Sequence, residues 1–227
     1  MDSTGVLSEA WQLYRAHWRH FIPIAIVVFL VIAAISLVLT LLLGFVGALI
    51  GTLLGIVGTF WLQGALVTAI ADVRDGRADL SIGETFRHVQ PRLGALVGAG
   101  LLAGLGIAVG FILLIVPGLY LLTIWSLVIP VVVLERLPAM DSFGRSRELV
   151  RGNGWNVFGV IVMTVLILFA VSIVISLVLT PLQDDLASFV QSLVGNVLTA
   201  PFLALAWTVM YYRLAEQPRD AVPAPAV

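Results

Sequence analysis

Four stretches of this chain contain no Asp, Glu, Lys or Arg: residues 21–71, 93–134, 152–183 and 186–212. A helix needs about 20 residues to cross roughly 30 Å of hydrocarbon. The first stretch, 51 residues, is too long for one crossing and long enough for two. The second, 42 residues, again accommodates two, and the remaining pair accommodate one each. Spans are therefore expected at about 21–43, 48–71, 93–115, 118–134, 155–179 and 187–212. Apolar residues make up 60% of the chain and charged residues 11%, against roughly 45–50% and about 25% in soluble domains. The reading is an all-α, polytopic integral membrane protein with six transmembrane helices. One domain covers residues 1–215, and a disordered Pro/Ala tail follows at 216–227.

Every basic residue is an arginine, twelve in all. Arg15 and Arg19 precede span 1, while Arg74, Arg77, Arg87 and Arg92 lie between spans 2 and 3. Arg136, Arg145, Arg147 and Arg151 lie between spans 4 and 5, and Arg213 and Arg219 follow span 6. The opposite turns, near Leu43–Gly51, Val116–Gly118 and Thr180–Asp185, carry only Asp184 and Asp185. The positive-inside rule places both termini in the cytoplasm, as an even number of crossings requires. Absence of lysine with abundant Ala, Val, Leu and Gly suggests a GC-rich bacterial genome, hence a bacterial inner membrane. Asp2 and Glu9 ahead of a long apolar run argue against a cleaved signal peptide.

Each pair of spans is preceded by a segment that reads as a cytoplasmic interfacial amphipathic helix, at about 5–20, 81–92 and 139–152. In the first, Leu7, Trp11, Tyr14, Trp18 and Phe21 follow a 4-3-4-3 spacing, one stripe of a helix. In the second, Ile82, Phe86, Val89 and Leu93 repeat 4-3-4, and Ser81 with Glu84 forms a capping-box pattern. The third, from Met140 through Phe143 and Val150 to Trp155, is rougher, with Arg147 interrupting its stripe. Aromatic residues at the acyl boundary and arginines among head groups make Trp11, Trp18, Trp155, Arg15, Arg19, Arg87, Arg92, Arg145, Arg147 and Arg151 candidates for contact with anionic lipid. The plainer alternative is that these arginines are solvated loop charges that only set orientation. Three units of interfacial helix plus hairpin suggest triplication of one module.

Small residues four apart make smooth faces on which a neighbouring backbone packs closely. Span 2 carries Gly47, Gly51 and Gly55, and span 3 carries Gly94, Gly98, Gly100 and Gly104. Packing of these two spans on one another is expected, with a homo-oligomer interface as the alternative. Pro117-Gly118 marks the turn between spans 3 and 4, and Pro130 and Pro201 should kink their helices and free carbonyls. Glu135 is placed to clasp Arg145 or Arg147.

No candidate chemistry emerges. Cysteine is absent, His17 and His20 lack a third ligand at suitable spacing, and no hydrolase, nucleotide or dinucleotide motif occurs. A net charge of −1 gives no field for nucleic acid. Gln63 and Asn196, polar residues inside spans, read as interhelical glue. No catalytic residue, metal or cofactor is therefore expected.

The run IVPGLYLLTIWSLVIPVVVLERLPAMDSFGRSRELVRGNGWNVFGVIV, followed later by WTVMYYRL, resembles the membrane domain of glycerophosphoryl diester phosphodiesterases, part of a broad family of bacterial six-span membrane proteins. The matching positions are Pro117, Gly118, Tyr120, Trp125, Pro130, Glu135, Ser146, Leu149, Gly152 and Trp155, with Tyr211, Tyr212 and Arg213. SEAWQLYRAHWRHF fits that family's opening helix. The resemblance implies the membrane domain alone, without hydrolase machinery. The functional expectation is a non-enzymatic scaffold or partner subunit presenting a basic face to lipid or protein. A lipid or amphiphile transporter of scramblase type is the alternative, and a surface enzyme using Glu135, His17 or His88 is the third.

Overall fold

The computed structural model describes residues 2–76, 80–179 and 185–217, excepting the side chains of 179–189. The expected turn at 180–184, with Asp184, and Arg77, Arg219 and the tail from 218 lie outside the described residues. Every described element is helical: α1 (Ser3–Arg74), α2 (Ile82–Val89), a 3₁₀ turn (Gln90–Arg92), α3 (Leu93–Leu113), α4 (Ile115–Ile124), α5 (Val128–Leu134), α6 (Ala139–Val150), α7 (Gly154–Leu179) and α8 (Asp185–Ala215). Among the described residues, five helical stretches are long and apolar enough to cross a membrane: Ser3–Arg74, Ile82–Leu113, Ile115–Leu134, Gly154–Val178 and Val190–Ala215. The chain is a helical membrane protein.

Helix α1 is not one rod. Non-helical backbone at His17 (φ −124°, ψ 22°) and Gly44 (φ 55°, ψ −130°) divides it into three arms. Gly44 occupies a left-handed φ that a side chain would strain. Beyond it the chain runs back along itself, so that Gly47 lies on the Leu39 carbonyl, Gly51 on Ser36 and Gly55 on Ile32. The glycine face expected to meet span 3 therefore meets the preceding arm instead. Among the glycines of α3, Gly100 abuts Phe60 and Gly98 approaches Ala139, while Gly94 and Gly104 face open space.

The reversal between α3 and α4 falls at Leu114 (φ −163°, ψ 151°), not at the predicted Pro117-Gly118. Pro117 sits in the first turn of α4, where its missing N–H would have had no helical partner anyway. Gly118 is inside the helix and lies against Phe111 and Gly110, a contact that a side chain would obstruct.

The predicted fourth span is discontinuous. Helical backbone stops at Ile124 and resumes at Val128, separated by turns through Trp125–Leu127. Pro130 is in the first turn of the new helix rather than in the middle of an old one. Helix α8 does continue through Pro201, and the Tyr14 hydroxyl donates to the Leu198 carbonyl at 3.1 Å beside it. The carbonyl that Pro201 itself leaves without a helical donor is that of Val197, one residue earlier.

Burial is concentrated at one end. Phe21, Ile24, Leu62, Leu66, Leu127, Leu205 and Met210 are fully enclosed there in a single cluster with Val6, Ala10 and Val157. Toward Gly44 and Leu114 the helices expose their leucines, isoleucines and valines.

Candidate functional site

The enclosed end is held by two groups of charged side chains. In the first, Glu9 on the N-terminal arm accepts from Arg213 Nε at 2.9 Å and Nη2 at 2.7 Å. Arg213 Nη2 also donates to the Gly5 carbonyl at 3.1 Å. Arg74, closing α1, contacts Glu9 at 3.5 Å and Glu216 at 2.8 Å, and its guanidinium lies 4.2 Å from the Tyr212 ring centroid. Three segments far apart in sequence converge here. The N-terminal arm also reaches α7, where Ser3 Oγ donates to the Asn156 carbonyl at 2.9 Å. Val6 and Ala10 are fully buried, so this arm is part of the bundle and not a raft resting on it.

The second group ties α5, α6 and α8 together. Arg145 Nε donates to both Glu135 oxygens at 2.8 and 2.7 Å, and the Tyr211 hydroxyl donates to Glu135 Oε1 at 3.0 Å. Arg145 also approaches Glu148 at 3.5 Å. Hydrogen bonding by Glu135 raises the Arg145 pKa further above its ordinary value, so its charge is permanent. Of the two partners foreseen for Glu135, Arg145 forms the clasp, while Arg147 is exposed on another side of α6.

Helix α6 has a second task. Ser146, fully buried, donates to the Ile124 carbonyl at 2.7 Å and accepts from the Leu127 N–H at 3.2 Å. One hydroxyl thereby satisfies both backbone ends of the break between α4 and α5. An unpaired buried backbone group costs about 1–3 kcal/mol, which explains why a polar residue points inward here. The buried face of α6 is Ser142, Ser146, Leu149 and Val150, whereas Met140 and Trp155 of the predicted stripe are 71% and 86% exposed. Phe143 does pack, edge-on to Trp125 at 5.0 Å between centroids.

The second predicted interfacial segment forms α2 with its capping box: the Ser81 N–H donates to Glu84 Oε2 at 3.0 Å, and the Glu84 N–H donates to Ser81 Oγ at 3.3 Å. Phe86 meets Trp61 edge-on at 5.2 Å. Arg15, Arg19, Arg87, Arg147 and Arg151 are exposed, as are Trp11 and Trp18. Arg92 is half-buried, its Nη1 3.5 Å from the Val133 carbonyl, and burial lowers its pKa with help from the Arg136 charge. Arg145 alone among these candidates is locked in an ion pair, as are Arg74 and Arg213 outside them.

Sequence reasoning passed over Glu9, Arg74, Arg213 and Ser146 as interaction partners. For Ser146 a signal existed, because Ser142 and Ser146 lie four apart on one helix face. For Glu9 and Arg213, separated by 204 residues, there was none. The carboxylates here are engaged with guanidinium groups, and no set of three or more His, Asp or Glu converges among the described residues. The arrangement braces helices and displays positive charge.

Residues 89–215 match the model of a family described as Domain of unknown function (DUF7847). No curated protein matches the chain, and no solved structure does.

Proposed function

The chain belongs to the DUF7847 family, and we propose that it is a non-enzymatic, six-span scaffold of a bacterial inner membrane that seats a braced, arginine-bearing face on anionic head groups. The reversal at Gly44 supports counting α1 as an interfacial arm and two spans, which makes six with α3, α4–α5, α7 and α8. Both termini are then cytoplasmic. The likeness to the membrane domain of glycerophosphoryl diester phosphodiesterases is part of the same proposal and concerns fold alone. The observation that carries the reading is the division among the arginines. Arg74, Arg145 and Arg213 are consumed in ion pairs, whereas Arg15, Arg19, Arg87, Arg147 and Arg151 are presented. Each presented arginine near an anionic leaflet contributes about 1 kcal/mol.

Two experiments test it. The natural chain has no cysteine, so single cysteines at Arg87, Arg147 and Phe45 report their own side of the membrane. Labelling of Arg87 and Arg147 from the cytoplasm and of Phe45 from outside is expected; Arg87 and Arg147 on opposite sides would end the topology. In nanodiscs of mixed lipid, retained anionic lipid should drop when the five presented arginines and the equally exposed Arg136 become glutamine. Equal retention would remove the lipid-facing role and favour a protein partner. Amphiphile handling, the second reading, has the break between α4 and α5 in its favour. The enclosed core at the arginine end, around Phe21, Leu66 and Met210, speaks against passage of a lipid through this chain alone.

A further inference from the structure

We infer that the cavity behind the α4–α5 break is a binding site for the neutral, hydroxyl-bearing head of a membrane-dissolved amphiphile. The cavity has a volume of about 280 Å³ and is walled by Phe60, Trp125 and Trp207, with Gln63, Gly104 and Ser126 among its other lining residues. That is head-group size, at the small end of ligand pockets. Gln63 is eleven residues from the end of α1 and Gly104 eleven from the start of α3. At about 1.5 Å per residue both lie roughly 16 Å from the arginine end, near the bilayer midplane. Discontinuous helices at that depth are where membrane proteins place ligand sites, since irregular backbone is tolerated only around a cavity or protein.

The chemistry of the occupant follows from the lining. None of these residues is ionisable, so an ionised head would be left without a counter-charge in hydrocarbon. Among its polar functions without a partner, two are complementary. Pro130, which also lines the cavity, has no N–H to give the Ser126 carbonyl four residues before it, and among the described residues no other donor takes that place. Ser146 repairs Ile124 and Leu127 but leaves Ser126 untouched. The Gln63 amide, facing the same cavity, likewise has no hydrogen bond among the described residues. A carbonyl seeking a donor and an amide that can donate, lining one cavity, are together matched by one hydroxyl, which gives to the first and accepts from the second. Aromatic walls suit the adjoining apolar carbons. Space for them exists because Gly104 has nothing within 4 Å of where a Cβ would stand. This narrows amphiphile handling to binding; it needs the membrane-spanning reading but not the role given to the presented arginines.

The test uses the full chain in zwitterionic nanodiscs with a diazirine-bearing dodecanol, the corresponding alkane and the corresponding carboxylate. The alcohol should label residues within 119–130 and 203–207, be displaced by plain dodecanol, and exceed both comparison probes. Gly104→Leu fills the cavity from its open side and should abolish that labelling. Gln63→Leu should reduce it about fivefold, the loss of one hydrogen bond. Alkane labelling equal to that of the alcohol, or labelling that survives both variants, overturns the site. Should Gly104→Leu lose its thermal transition, Gln63→Leu alone decides. Cysteine labelling at Arg87, Arg147 and Phe45 is read separately, so failure of the topology and failure of the site are distinguishable.

Discussion

The two ends of this bundle are built from the same kinds of residue and packed in opposite ways. At the arginine end Phe21, Leu66, Leu205 and Met210 are completely enclosed. At the Gly44 end Leu41, Phe45, Ile112 and Val116 are 76%, 77%, 82% and 75% exposed. Hydropathy cannot account for the difference, because both ends are apolar. In hydrocarbon a leucine gains little by leaving lipid for protein, so burial must be drawn in by something else. At the enclosed end that something is polar: Glu9, Glu135 and Ser146 each bind two or more partners from different segments. At the other end, lipid suffices.

The comparison can be broken by substitution. Leu66→Ala should cost about 2–4 kcal/mol, through the cavity it leaves, while Leu41→Ala should stay within about 0.5 kcal/mol. Denaturant unfolding in mixed micelles measures both, and equal losses would dissolve the distinction. Gly47→Ala is the exception that sharpens it. Although at the open end, Gly47 lies against the Leu39 carbonyl, and the added methyl should cost about 1–3 kcal/mol of strain. Next, Ser146→Ala leaves the Ile124 carbonyl and the Leu127 N–H unpaired and should cost about 1–3 kcal/mol. Faster amide exchange should then be confined to residues 122–131. The smallest effect belongs to α2. Hydrogen bonding to Ser81 holds the Glu84 pKa below its usual value. Its contribution is therefore present above the ordinary glutamate range and is lost as pH falls through the depressed pKa. Protection of amides in 82–89 should decline there in the natural chain and be insensitive to that pH window in Glu84→Gln.

What could be read beforehand was what depends on neighbours in sequence. Ser81 and Glu84 are three residues apart, and their mutual cap was plain. Long charge-free runs announced helices of crossing length. Where the reading slipped, a local signal had two physical meanings. Pro117 was taken for a turn, yet proline suits the first turn of a helix equally well, and the reversal is one step earlier at Leu114. The run 118–134 is free of charge and apolar but for Thr123 and Ser126, too weak a signal to disclose the interruption at Trp125–Leu127. The stripe drawn on α6 from its apolar residues leaves out Ser142 and Ser146, because amphipathicity follows apolar side chains; at a helix break, polar points in. The Gly47–Gly55 face was sent to the wrong neighbour, since spacing shows that a face is smooth and not what lies on it. The charged braces were hidden altogether by distance along the chain.

One of those braces bears on how the molecule is made. Glu9 has left the ribosome long before Arg213, 204 residues later, is translated. Until then the opening segment, with Val6 and Ala10 completely enclosed in the finished bundle, has only its contacts with Arg74 and α7 to hold it. The opening arm is thus fastened to Arg213 only when α8 arrives.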